Sequence, residues 1–171
     1  MVDSTTRRAQ LQVRLAAERA NLLYQLRGLD EETLCSAPIT GDWTARDIFP
    51  HLGFWDAWAT ERTQLVLSNR RKEIRWLDGP EEVDRLNAEM RQITARRSLS
   101  EALAICLKER NAFLVALSRT PDNLLIRRIQ IQPGWRSSIY HWARLRFLHD
   151  ATQAADIQRW RTRTQRITGA G

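Results

Sequence analysis

Two histidines and one glutamine stand out in this sequence because their types and spacing could hold a metal ion. His51 has Ile48 and Trp55 as neighbours one helical turn away, so it is predicted to face the protein interior. His149 and Gln153 are four residues apart, and side chains at that spacing lie on one helix face, about 6 Å apart along the axis. Side chains from two helices could thus converge inside a bundle, where three ligands and one open position form the pattern of catalytic zinc.

The same residues also fit a purely structural role in the core, and the sequence does not decide between this role and metal binding. A histidine on an apolar helix face often makes a hydrogen bond in the core instead of binding a metal. Gln153 is a weak third ligand, because a neutral amide oxygen neither offsets the charge of a cation nor suits a borderline-soft ion. His141 cannot readily replace it, since eight residues, or about 12 Å of helix, separate it from His149.

Helical periodicity runs through most of the chain, with almost no strand alternation. Four long amphipathic helical regions are predicted, over residues 4–29, 44–69, 80–119 and 137–163. Thr44 and Asp47 have the spacing of a capping box, which predicts a helix start at that point. Ser98 and Glu101 have the same spacing, so the third region is predicted to be one kinked helix or two pieces, and Pro80 suits its first turn.

The segments between these helices are predicted to lack long regular elements. Residues 30–42 are expected to form a loop, or a loop with one short turn, and residues 70–79 a charged loop. The stretch 124–132 has β-like character but is predicted to be too isolated to form a sheet, and Pro133-Gly134 is a predicted turn. Pro50 falls in the second turn of the second helix, where we expect a bend.

Length and composition fit a single domain, residues 1–171, with the all-α architecture of a four-helix bundle and a long connection between helices two and three. No run of apolar residues is long enough to span a membrane, and the N-terminal residues lack the apolar core of a signal peptide. The two cysteines do not have CxxC spacing, and no glycine-rich phosphate loop is present. A cytoplasmic location without a membrane partner is therefore expected.

Motifs in the predicted second and last helices resemble a known superfamily. Trp43-Thr-Ala-Arg-Asp47 followed by His51-Leu-Gly-Phe-Trp55 is similar to the second-helix signature of the DinB/YfiT-like superfamily, a Trp, an Asp and a His at steps of four residues. The segment 149–157 resembles its last-helix pattern, two His four residues apart followed by an Ile. Residues 84–102 resemble the subgroup related to the colibactin self-protection protein and to the N-terminal domain of mycothiol-dependent maleylpyruvate isomerase.

This resemblance, which covers nearly the whole chain, implies an up-down-down-up four-helix bundle that is usually a homodimer. In many members three histidines hold a divalent ion, zinc or nickel, and some members use it to transfer low-molecular-weight thiols by binding the thiolate and lowering its pKa. His51 and His149 match the first two ligands, and Gln153 stands at the position of the third. The self-protection subgroup is regarded as acting without that metal.

Positive charge is concentrated near the C-terminus. The net charge is +7, and 25 of the 27 basic residues are Arg. Residues 124–171 contain nine Arg and two Asp, which accounts for the whole excess. Arg159, Arg161 and Arg163 could contact the phosphates of a nucleic acid. Cations near the end of a helix also stabilise its dipole and cap its carbonyls without any ligand, so a nucleic-acid partner is not favoured.

The aromatic residues near the two histidines suggest a binding pocket. Trp55 and Trp142 are predicted to be core or pocket walls rather than a platform for nucleobases. We expect a pocket between the second and last helices for a small-molecule ligand, formed by these two tryptophans with His51, His149 and Gln153. The expected function is a metal-dependent small-molecule transferase or hydrolase active in stress or detoxification. The alternative is a metal-free protective or binding protein, associated with DNA through its basic last helix.

Overall fold

The computed structural model describes residues 4–132 and 135–168 and is mostly helical, in agreement with the predicted all-α class. In chain order, its α-helices and strands are α1 (Ser4–Gln25), α2 (Glu31–Ser36), α3 (Ala45–Leu67), α4 (Pro80–Thr94), α5 (Leu99–Ser118), α6 (Asp122–Leu125), β1 (Ile129–Gln132), β2 (Trp135–Ser137) and α7 (Ile139–Thr168). A short 3-10 helix, Arg71–Glu73, lies in the predicted loop between α3 and α4. None of the described helices is both long enough and apolar enough to cross a lipid bilayer.

The predicted helix starts at the two capping boxes are confirmed. At α3, the Thr44 hydroxyl accepts a hydrogen bond from the Asp47 N–H at 3.3 Å, and the Asp47 carboxylate accepts one from the Thr44 N–H at 3.0 Å. Ser98 and Glu101 form the same reciprocal pair at α5. The third predicted region is therefore two helices, α4 and α5. Pro80 occupies the first turn of α4, where its missing N–H removes no helical hydrogen bond.

Several predicted segments differ from the structure in their bounds or content; α7, for example, ends at Thr168 instead of Arg163. α1 ends at Gln25, four residues before the predicted end, and Gly28 follows with a φ of +74°, a conformation that favours glycine. The segment 30–42 contains the six-residue helix α2, which begins because the Asp30 carboxylate accepts a hydrogen bond from the Thr33 N–H at 2.8 Å. α3 continues through Pro50, and the bend expected there stays a prediction.

The prediction that 124–132 is too isolated to form a sheet is wrong. β1 pairs antiparallel with β2, with Ile129 opposite Ser137 and Gln130 opposite Arg136. The partner strand, β2, has only three residues, which are too few to show an alternating pattern of apolar and polar residues. The predicted last helix, which began at residue 137, also overlapped the last residue of this strand. The predicted Pro133-Gly134 turn lies outside the described residues.

The long helices pack in pairs, α1 along α7 and α3 along α5, while α4 covers part of α3. Gly53 lets α3 approach α5 closely, because a Cβ atom there would lie 2.9 Å from the Ile105 side chain and 3.2 Å from its carbonyl oxygen. Buried side chains form two apolar clusters, one that includes Leu15 and Phe113 and one that includes Leu22 and Leu52. Each of the four long helices contributes to both clusters, and the two clusters follow one another along each helix.

Candidate functional site

His51 of α3 and His149 of α7 lie in direct contact. Their Nε2 atoms are 2.9 Å apart, and their rings are nearly perpendicular, with centroids 4.8 Å apart. One hydrogen bond between two imidazole nitrogens requires that one ring carry its proton on Nε2 and that the other accept with a bare Nε2. Two residues that are 98 positions apart in sequence therefore form one hydrogen-bonded pair, at the place where helices were expected to converge.

Both imidazoles are neutral at physiological pH. Burial, followed by the positive charge of Arg146, lowers the pKa of His51 to about 4. Burial, then His51 itself and the guanidinium of Arg146, lowers the pKa of His149 to about 2. The Nδ1 atom of His51 is also buried, and it has no hydrogen-bond partner among the described residues.

A cleft of about 820 Å³ opens beside His51, and we call it the His51 cleft. It lies between the loop before α3, α3 itself, α4 and one residue of α7. Its lining includes Thr40, Asp42, Trp43, Ile48, His51, Asp84, Asn87, Arg91, Gln92 and Gln153. The Gln153 side-chain oxygen accepts a long hydrogen bond, 3.5 Å, from the Thr40 hydroxyl. His149 is not part of this lining, so its hydrogen bond with His51 lies outside the wall of the cleft.

The donor atoms at this position fit a tightly held divalent ion poorly. Two imidazoles on a tetrahedral zinc would have nitrogen atoms roughly 3.4 Å apart, which is wider than the spacing between His51 and His149. No group of three His, Cys, Asp or Glu residues able to hold a metal occurs among the described residues. The third candidate ligand, Gln153, brings no negative charge, and the positive charge of Arg146 that lowers both imidazole pKa values would also repel a cation.

The predicted pocket residues Trp55 and Trp142 do not line the His51 cleft. They belong to a second, smaller cavity of about 160 Å³, which we call the tryptophan cavity. Its lining is Trp55, Trp58, Trp76, Leu77, Ser137, His141, Trp142, Leu145 and Arg146. Trp55 borders both regions, because its ring packs against His51 with centroids 6.5 Å apart and its indole N–H donates to the Asn87 side-chain oxygen at 3.0 Å. The single pocket expected from the sequence is thus two cavities.

A buried layer of four charges, which sequence reasoning missed, lies next to the histidine pair. We call Arg19, Asp56, Arg110 and Asp150 the charged layer; each comes from a different long helix, and each is less than 5% exposed. Asp150 directly follows His149; it accepts hydrogen bonds from Arg19 and forms an ion pair with Arg110. In each helix the charged residue falls between the stretches that form the two apolar clusters. A charge at an apolar-face position, such as Arg19 four residues after Leu15, is the sequence signal that could have revealed the layer.

Cys106 lies in contact with the charged layer. Arg19 donates to the Cys106 carbonyl oxygen at 2.9 Å and to its sulfur at 2.7 Å. Burial raises the pKa of the Cys106 thiol to about 12 despite this positive neighbour. The thiol is therefore protonated at neutral pH and lacks the thiolate character that nucleophilic chemistry needs.

The three arginines considered for nucleic-acid binding have different surroundings. Arg161 donates to the carbonyl oxygens of Gln25 and Arg27, both at 2.8 Å, and so satisfies acceptors at the C-terminal end of α1. Arg159 forms an ion pair with Asp156 on its own helix. Arg163 is exposed. A contact between these residues and phosphate stays a prediction.

Comparison with known proteins relates this chain to others through its fold. An uncharacterised protein from Escherichia coli UTI89 has a similar structure, with a TM-score of 0.74 and 13% identity over 92% of this chain and 94% of that one. A protein from Streptococcus pneumoniae has a TM-score of 0.69 and 12% identity, over 91% of this chain and 90% of that one. An uncharacterized protein from Clostridium difficile 630 has the same score and identity, over 91% of this chain and 95% of that one. No family model and no curated protein matches the sequence, so the likeness is one of fold.

Proposed function

We propose that this chain is a metal-independent binding protein that holds a neutral small molecule in the His51 cleft. The observation that carries the proposal is the direct contact between His51 and His149, whose Nε2 atoms are 2.9 Å apart. Because both rings are neutral and hydrogen-bonded to each other, the pair places no charge at the wall of the cleft. His149 holds the His51 ring in one orientation, which favours selective recognition of a ligand.

The pair is poorly suited to proton transfer. A general base works best when its pKa lies near the working pH. The pKa values of about 4 for His51 and about 2 for His149 lie well below neutrality, so a proton taken from a substrate would be held weakly. This difference favours a binding or protective protein over an acid–base catalyst.

The lining of the His51 cleft indicates a neutral ligand with both apolar and polar parts. Trp43 packs edge-on against His51 with ring centroids 5.0 Å apart, and it provides an apolar wall. The amides of Asn87 and Gln153 supply donors and acceptors without net charge. The cation at the rim, Arg91, is already paired with Asp42 at 2.6 Å. A planar aromatic molecule with a carbonyl or amide group has the matching chemistry.

The architecture that we propose for this function is the DinB-like four-helix bundle with up-down-down-up topology, built from α1, α3, α5 and α7. The contribution of one charged residue by each of these helices to the same buried layer supports it. The resemblance of the middle region to the colibactin self-protection subgroup supports a protective role that does not require the metal. The homodimer, the cytoplasmic location and the nucleic-acid partner remain predictions from the sequence.

The second candidate is the metal-dependent transferase or hydrolase of small molecules, with thiols as one substrate class. It is favoured by the convergence of two neutral imidazoles, since neutral imidazole is the form that binds zinc or nickel. His51, His149 and Gln153 would be the residues that hold the ion. The poor fit of the third donor and the positive surroundings place this candidate behind the first.

Metal analysis and ligand titration together test the proposal. Tag-free protein, equilibrated with zinc or nickel and desalted, should retain less than about 0.1 equivalent of either ion, because two imidazoles and an amide form a weak site. A stoichiometric ion would contradict the proposal and favour the second candidate. Acetanilide, a neutral aromatic amide, should produce saturable shifts of the Trp43 indole N–H signal in nuclear magnetic resonance spectra.

A pair of matched variants locates the binding. Gln153→Leu removes an amide from the lining and should weaken acetanilide about three- to tenfold, the range for one neutral hydrogen bond. Gln158→Leu changes an exposed glutamine on the same helix and should leave the affinity unchanged. Equal affinities in both variants, or shifts confined to tryptophans of the other cavity, would rule out the His51 cleft as the site.

A further inference from the structure

The tryptophan cavity is enclosed by a continuous series of indole rings. Trp55 and Trp58 have ring centroids 6.1 Å apart, Trp58 and Trp76 6.2 Å, and Trp76 and Trp142 5.6 Å. The last pair joins the connection between α3 and α4 to α7, so three parts of the chain meet around this space. Two further lining residues, His141 and Leu145, are exposed, which places the mouth of the cavity at their side. An aromatic enclosure of this kind favours a flat apolar ligand.

Three residues that line the cavity carry polar atoms without a partner. Nη1 of Arg146, Nε1 of Trp58 and Oγ of Ser137 are shielded from solvent, and none has a hydrogen-bond partner among the described residues. Ser137 is only 6% exposed as a whole residue. More than nine in ten buried polar groups in proteins are hydrogen-bonded, so three exceptions around one small cavity are unusual. All three groups can donate a hydrogen bond, which points to an acceptor as their common partner.

Arg146 also carries a positive charge that the neighbouring charges do not balance. The charged layer contains two arginines and two aspartates, so its own charges sum to zero. Arg146 forms no ion pair with any of the described residues, and its guanidinium lies 5.7 Å from the centroid of the Trp55 ring. A buried cation without an anion is costly, and such charges are ordinarily paired. The electrostatics of this cavity therefore favour an anionic ligand.

We propose that the tryptophan cavity is a binding site for a small aromatic carboxylate of about one ring. The ring would lie among the indoles, and the carboxylate would accept hydrogen bonds from Arg146, Trp58 and Ser137. The volume of about 160 Å³ fits this class, because an apolar protein cavity of about 150 Å³ accommodates benzene. A guanidinium suits a carboxylate well, since its planar donors match the two oxygens.

This site is separate from the proposed function at the His51 cleft. The two cavities have no lining residue in common, and they differ in the charge of the ligand that they favour. The Trp55 ring lies 5.7 Å from the Arg146 guanidinium, and its indole N–H donates to Asn87, which lines the cleft. Binding at one cavity can therefore succeed or fail without deciding the other.

Titration of the full-length protein with benzoate and with benzyl alcohol tests the proposal. Benzyl alcohol has the same ring but no charge. Benzoate should bind saturably, at least about tenfold more tightly than benzyl alcohol, since hydrogen bonds to charged groups contribute that much. In nuclear magnetic resonance spectra the Trp58 indole N–H signal should shift downfield on benzoate binding. Absence of saturable benzoate binding, or equal affinities for the two compounds, would overturn the proposal.

Variants identify the groups that hold the carboxylate. Arg146→Gln should weaken benzoate at least tenfold and leave benzyl alcohol unchanged, as expected from the loss of one charged donor. Trp58→Phe keeps the ring and removes the N–H, and it should weaken benzoate about threefold or more. Arg144→Gln is the matched control, because Arg144 is exposed on the same helix.

The same variants separate a binding defect from a folding defect. Thermal unfolding should show that Arg146→Gln folds as stably as the parent, because it removes an unbalanced buried charge. Gln153→Leu in the other cleft should not alter benzoate affinity. If Arg146→Gln folds normally and binds benzoate as tightly as the parent, the carboxylate site is refuted.

Discussion

Arg19 and Asp150 join α1 to α7 through two parallel hydrogen bonds, from Nε to Oδ2 at 3.1 Å and from Nη2 to Oδ1 at 3.0 Å. Such a fork fixes distance and orientation together. Arg110 completes the arrangement from α5, with Nη2 2.9 Å from Asp150 Oδ2. Because Asp150 follows His149 directly, this pairing also sets the position of the histidine pair at the wall of the His51 cleft.

Asp150→Asn should destabilise the protein by about 3–5 kcal/mol, because it leaves two buried guanidinium groups with one carboxylate between them. Urea unfolding monitored by circular dichroism measures the change. Asp156→Asn is the control on the same helix; among the described residues Asp156 pairs with the exposed Arg159, so this substitution should change the unfolding free energy little.

A double variant distinguishes charge imbalance from the loss of hydrogen-bond geometry. Arg19→Leu with Asp150→Leu removes one charge of each sign and leaves Asp56 paired with Arg110. It should be more stable than Asp150→Asn alone, because no charge is left without a partner. A double variant as unstable as the single one would show that the hydrogen-bond geometry, not the balance of charge, stabilises this layer.

The histidine pair should make the protein less stable as the pH falls from 7 toward 4. The pKa of each ring is lower in the folded state than the ordinary value of 6.5, so the unfolded chain binds more protons in this range. Stability contributed by the neutral pair is thus complete above about pH 7 and is lost progressively as the pH drops below 6.5. Each histidine should raise the equilibrium constant for unfolding by up to about tenfold for each pH unit below 6.5.

Unfolding midpoints in urea between pH 7 and 5 check this expectation. His149→Gln should show a shallower decline than the parent protein, since it removes one of the two groups. His141→Gln changes the exposed histidine of the same helix and should keep the parent profile. Parallel profiles for the parent and His149→Gln would contradict the assignment of the pH effect to this pair.

Local signals in the sequence were sufficient to predict where two helices start and that the two histidines lie close together. The capping pairs at Thr44 and Ser98 depend on residues three positions apart, so one sequence contains all the information needed. The inward direction of His51 follows from apolar neighbours one turn away. The contact with His149 then needs only the packing of α3 near α7.

Features that depend on pairing between distant residues could not be predicted. Arg19 and Asp150 are 131 residues apart, and with 25 arginines present no spacing rule selects this partner. The separation of the two cavities depends on the position of the Trp55 ring, whose indole N–H donates to Asn87, a residue of another helix. The β-hairpin was missed because its second strand is too short to carry an alternating pattern.

Gln153→His should strengthen zinc binding at the histidine pair. It places a third imidazole one turn from His149, and the His51 ring already contacts that residue. Zinc affinity should rise at least about tenfold over the parent, because an imidazole replaces a neutral amide in the ligand set. Competition with a chromophoric chelator measures the affinity.

A control on the same helix tests the location of that site. Gln158→His adds a histidine at an exposed position and should leave zinc affinity unchanged. Equal gains in both variants would indicate surface binding. No gain in Gln153→His would mean that the side chain at this position does not reach the histidine pair.

Arg161→Gln should lower the unfolding free energy by about 1 kcal/mol, because its guanidinium donates to two carbonyl oxygens at the end of α1. Arg163→Gln, two residues further along an exposed face, should leave stability unchanged.

The same two variants, Arg161→Gln and Arg163→Gln, test whether the basic end of α7 binds nucleic acid. Phosphate contacts would make binding of a short DNA duplex fall steeply with salt, and both substitutions would reduce that dependence. If neither substitution changes DNA binding while Arg161→Gln alone lowers stability, Arg161 serves to anchor α7 to the end of α1.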